Sequence, residues 1–140
     1  MLSACGEAPD QDRLAGDLRR RVAEDFQRGL LELTRIDRQG SAAAAAAGPY
    51  ERKVVYFKAS VKLARDFDFG GWDQPNAAAL AALLGAGPRG IAGLRPGGNR
   101  SGDELRAFGS ADYERRDGAF VLLPPHGFAP QAAVAVAGSP

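Results

Sequence analysis

Three carboxylates, Asp66, Asp68 and Asp73, fall within eight residues, and Asp103 and Glu104 follow further along the chain. Hard cations such as calcium take oxygen clusters of this kind. The spacing does not follow an EF-hand loop, and the interleaved Phe67, Phe69 and Trp72 read as anchors that pin a turn to a core. The expectation is therefore a structural acidic loop, with no metal and no cofactor. Residues 90–103 form a second candidate. Glycines at 85, 87, 90, 93, 97, 98 and 102 let backbone N–H groups converge on an anion. Arg89, Arg95 and Arg100, with Asn99 and Asp103, would complete a ligand loop through forked guanidinium donors. It is not a P-loop, because no Gly-Lys-Ser/Thr ending is present and no strand leads directly into it.

Nucleophilic chemistry finds little support. Cys5 and His126 are the single cysteine and single histidine, which excludes an internal disulfide and a cysteine-rich zinc site. No serine sits in a nucleophile elbow. No catalytic residue is assigned and catalysis is not the expectation, although any two carboxylates can meet in space. Alternating residues Lys53, Tyr56, Lys58 and Lys62 suggest a polar sheet face able to meet an acidic protein or an anionic polymer.

These groups need a scaffold, and composition bounds it. The 140 residues carry a net charge of +1 from 18 basic and 17 acidic side chains. So even a balance lacks the basic excess that phosphate-backbone binding requires, and no nucleic-acid partner is expected. The 45% hydrophobic fraction includes 27 alanines; Leu, Val, Ile and Phe together number 30. That supports one modest core.

Leu14, Leu18, Val22, Phe26 and Leu30 recur every fourth residue, which predicts an amphipathic helix over 12–28 with Gly29 as its stop. A first strand is expected over 31–36, then a flexible insert near 41–49 containing the alanine run. Residues 52–65 alternate cleanly and predict a long strand. A short helix is expected from Pro75 to Leu84. Two further strands, 104–114 and 119–123, flank an Asp117-Gly118 hairpin turn. This order predicts an α+β fold: a long N-terminal helix packed on a curved antiparallel sheet of about four strands, with a second short helix. The domain would span 12–125, with a tether at 1–11 and a disordered tail at 126–140.

The tetrad Leu2-Ser3-Ala4-Cys5 resembles a bacterial lipobox. The resemblance implies cleavage before Cys5, a lipid on its thiol, and a membrane partner through that anchor. Gly6, in place of an aspartate, implies the outer membrane and a periplasmic-side location; the polar residues 6–12 suit a tether. An apolar export segment would have to be encoded ahead of Met1. The arrangement of one helix on a curved sheet is similar to cystatin-like folds, in architecture alone. The combined expectation is a non-catalytic envelope lipoprotein acting in binding or assembly. The alternatives are a soluble cytoplasmic domain with an accidental tetrad, or a small ligand-binding or hydrolase domain with a pocket between sheet and helix.

Overall fold

The computed structural model describes residues 8–45, 48–70, 74–87 and 90–125. Cys5, Trp72, Asp73, Arg89, His126 and the tail that follows lie outside the described residues. The described elements are α1 (Gln11–Glu24), β1 (Leu31–Ala44), β2 (Arg52–Leu63), α2 (Pro75–Leu83), β3 (Ile91–Ala92), β4 (Glu104–Arg116) and β5 (Ala119–Leu122). The class is α+β, with two helices and an open antiparallel sheet of five strands, one more than the sequence suggested. The sheet dominates, and α1 is 14 residues long rather than the long helix expected over 12–28.

Helix α1 begins where the Asp10 carboxylate accepts from the Arg13 N–H at 2.9 Å, a cap worth about 1 kcal/mol. Asp12 in its first turn and Arg21 in its last complement the helix dipole. It ends early because the chain bends at Asp25. Phe26 and Leu30 are nonetheless completely buried. The five-residue stripe is thus buried to its last member, but a bend and a turn, with Gly29 at φ +78°, deliver the last two side chains.

The sheet order is β1-β2-β4-β3, and β5 also pairs with β4. On one face Leu33, Ile36, Val55, Phe57, Val61, Leu105, Ala107, Ala111 and Tyr113 join Leu14, Leu18 and Val22 of α1 and Leu80 and Leu83 of α2 in a single core. Phe57 pairs across the sheet with Gly109, and a side chain at Gly109 would strike its ring and the Leu84 carbonyl. The Asp117-Gly118 turn closes β4 onto β5 with positive φ at both residues, 52° and 80°, as a tight hairpin requires.

β1 departs most from expectation. It runs through Gly40 and the first alanines, with Ala42, Ala43 and Ala44 paired to Val54, Lys53 and Arg52. The insert expected near 41–49 therefore begins beyond Ala44. The register shifts between Leu33 and Arg35 and again between Arg38 and Gly40. The first shift lets Leu33 and Ile36, three residues apart, both face the core, and it sends Arg35 and Asp37 to the opposite face. Lys53 shares parity with Val55 and is buried at 9% exposure, so it leaves the polar face on which the sequence reading placed it. The Gln11 carboxamide covers the rim of β1: it donates to the Ile36 carbonyl at 2.7 Å and accepts from the Arg38 N–H at 2.8 Å. Occupying both groups blunts an edge that would otherwise invite strand pairing.

Candidate functional site

The sheet face turned away from both helices carries a cluster of exposed, chemically capable side chains. The register sets them in rows. Arg35, Ser60 and Arg106 lie abreast on β1, β2 and β4, with Ala92 beyond; Asp37, Lys58 and Phe108 form the next row. Strand spacing puts Arg35 and Arg106 about 10 Å apart, on either side of Ser60. Together these residues line an open groove of about 470 Å³, within the size range of small-ligand sites.

Charges in this groove are only partly neutralised. Arg35 Nε lies 3.1 Å from Asp37 Oδ2, a pair exposed on both sides and so weakly stabilising. Lys58 Nζ sits 5.5 Å from the Phe108 ring centre, a cation–π contact. Among the described residues no carboxylate pairs with Lys58 or Arg106. Phe108 is 64% exposed, the highest value among the described large hydrophobics, and Tyr56 on the same face is 47% exposed. Thr34, the residue at the register shift, donates from its hydroxyl to the Ser60 carbonyl at 3.2 Å, which fixes the β1 segment that presents Arg35.

The glycine-rich loop packs differently. Asn99 is buried, donates to the Gly93 carbonyl at 2.9 Å and to Asp103 Oδ2 at 3.3 Å, and accepts from the Arg95 N–H at 3.1 Å. Asp103 also accepts from the Arg100 N–H at 3.0 Å and lies 3.4 Å from Arg95 Nε. The Arg100 N–H, aided by Asn99 and by the charges of Arg95 and Arg100, holds its carboxyl below the usual range. Asp66 accepts from the Ser101 N–H at 2.8 Å, and Asp68 from the Gly70 N–H at 2.9 Å. Asn99, Asp103 and Asp68 thus spend oxygens on their own loops, and Asp66 spends one on the glycine-rich loop beside it. Among the described residues no group of three metal-ligating side chains converges. Arg95 and Arg100 are exposed, and Arg100 lines a hollow formed with Asp66, Asp68 and Gly97 to Asn99.

Phe67 and Phe69 meet ring to ring at 4.8 Å, and Phe69 stacks on Phe26 at 5.9 Å. These rings anchor the acidic turn to the end of the core.

Arg35, Ser60, Arg106 and Phe108 were not singled out from sequence. Period-2 parity marks Lys58 and Ser60 as one face, and the same rule applied to 104–114 puts Arg106 and Phe108 opposite the apolar set. Arg35 carries no such signal, because only the register shift at Thr34 turns it to this face. Comparison with protein-family models, with curated proteins and with solved structures finds no match for this chain.

Proposed function

We propose that this chain is a non-catalytic lipoprotein domain of the bacterial envelope that binds a partner through the open face of its sheet. The observation that carries the reading is the groove over Ser60, where Lys58 and Arg106 stand without acidic partners among the described residues, beside the exposed Phe108. Unpaired cations and an exposed ring contribute nothing evident to the core, and such residues collect on surfaces that recognise ligands.

The lipobox resemblance of Leu2-Ser3-Ala4-Cys5 supplies the address, on the outer membrane and facing the periplasm. Five residues separate Cys5 from Gln11, a reach of at most about 22 Å fully extended. The tether joins the domain at the rim of β1, where Arg38 Nε donates to the Pro9 carbonyl at 2.8 Å. Arg38 follows Arg35 and Asp37 on the same strand, so a lipid at Cys5 would hold the groove close to the membrane. The finer likeness to a cystatin-like helix on a curved sheet belongs to this proposal too; α1 against the sheet and the two shifts in β1, which bend a strand, support it.

The test is the intact mass of the protein expressed from its full native gene and recovered by fractionation. A diacyl or triacyl addition at Cys5 in the membrane fraction is expected. An unmodified thiol in the cytoplasmic fraction would sink the envelope reading.

A further inference from the structure

We infer that the groove over Ser60 is a site for an anionic group, phosphate or carboxylate, borne on a molecule with a flat apolar portion. The inference rests on the reading of the open face as the binding face and adds the chemistry of what binds there.

Arg35 and Arg106 flank Ser60 in one cross-strand row, and Lys58 lies in the next row along the same strand. Three cations therefore surround one small residue, with Asp37 as the one acid among the described residues that line the groove. Small Ser60 leaves the floor low, and its hydroxyl adds a donor. Guanidinium forks approaching from two sides suit a group with several acceptor oxygens, as phosphate and carboxylate have. Among the described residues no carboxylate forms an ion pair with Arg106, so an incoming anion breaks no salt bridge there, although Glu32 and Glu104 stand in the adjoining row. A bare anion would leave Phe108 unused. Its ring stands 64% exposed in the wall of the groove, where a planar or apolar portion of the ligand would stack or pack against it. The glycine-rich loop is the weaker rival for an anion, since its backbone donors at Arg95, Arg100 and Ser101 are already taken by Asn99, Asp103 and Asp66.

The experiment is an amide NMR titration of the whole chain with phenyl phosphate, with inorganic phosphate and vesicles containing phosphatidylglycerol as further arms. Phenyl phosphate is expected to shift Arg35, Lys58, Ser60, Arg106 and Phe108 saturably, with a dissociation constant of about 1 mM or tighter. Arg106→Gln and Lys58→Gln should each weaken binding roughly tenfold. Lys58→Arg should retain it, and Lys62→Gln, one row outside the groove, should leave it unchanged. Phe108→Ala should weaken phenyl phosphate while leaving inorganic phosphate as it was. Both glutamine variants alter exposed side chains, and an unchanged amide spectrum without ligand confirms their fold. Shifts confined to the loop around Arg95 and Arg100 would overturn the site. Vesicle binding through the open face without any response to phenyl phosphate would overturn the ligand class and spare the reading of the face. No response of the open face in any arm would remove both.

Discussion

The Tyr113 hydroxyl donates to Asp17 Oδ2 across 2.9 Å and ties β4 to α1 inside the core. Tyr113 is fully buried and Asp17 is 6% exposed. The same carboxylate accepts from Arg13 Nε at 2.9 Å and from an Arg20 guanidinium nitrogen at 3.2 Å. Burial pushes the Asp17 carboxyl up, but the bonds from Arg13 and Tyr113 and the two positive charges outweigh it and hold it below the usual value. Burial, and then the bond to Asp17, push the Tyr113 phenol well above its ordinary value.

Linkage fixes the sign of each effect. Asp17 is depressed in the folded state, so its contribution is complete above about pH 4 and is lost as pH falls through its lower folded value. Tyr113 is raised, so its contribution is complete below about pH 10 and is lost as pH climbs above that. Tyr113→Phe removes one donor at nearly constant volume and should cost about 1–2 kcal/mol at neutral pH. It should also flatten the alkaline limb. Asp17→Asn strips two arginines of their partner, should cost about 2–3 kcal/mol, and should flatten the acid limb. Urea unfolding across the pH range measures both.

Asn99 is 2% exposed and satisfies both a backbone N–H and a backbone carbonyl of the loop. Asn99→Ala leaves those groups without a partner and should cost about 2–3 kcal/mol in urea unfolding. Arg100→Gln, at an exposed position of the same loop, should stay within about 0.5 kcal/mol of the parent.

A Cβ at Gly109 would lie 2.0 Å from the Leu84 carbonyl oxygen and 2.8 Å from the Phe57 ring. Backbone at that distance cannot yield cheaply, so Gly109→Ala should cost about 3 kcal/mol. Gly16 is helical and exposed with no atom near its missing Cβ. Gly16→Ala should therefore stabilise by about 0.5–1 kcal/mol. Thermal unfolding of the two variants should move in opposite directions.

The core was largely legible because its signals are local. Val55, Phe57, Ala59, Val61 and Leu63 alternate as a half-buried strand must, and Leu14, Leu18 and Val22 recur as a helix face must. The signal at Phe26 and Leu30 is real as burial, but the helix expected to run on through Phe26 to residue 28 stops at Glu24, since spacing reports where a side chain ends up and not how the backbone gets there. Ala42 to Ala44 read as a connector because alanine has little strand propensity; pairing with residues 52–54 supplies what local preference lacks. β3 went unseen for a similar reason: two residues amid glycines hold their strand only through Ala107 and Arg106. The groove over Ser60 was half legible. Parity gives Lys58 and Ser60, but Arg35 reaches them through a register shift that no alternation rule anticipates.

Photo-crosslinking in cells carrying the native gene asks whether the proposed partner contacts the open face around Ser60. A benzoylphenylalanine placed at Phe108 should give an adduct of discrete mass that disappears when Arg106→Gln is added. The same probe at Glu24, exposed at the end of α1, should give none. Equal adducts from the two positions, or none from position 108, would contradict the account.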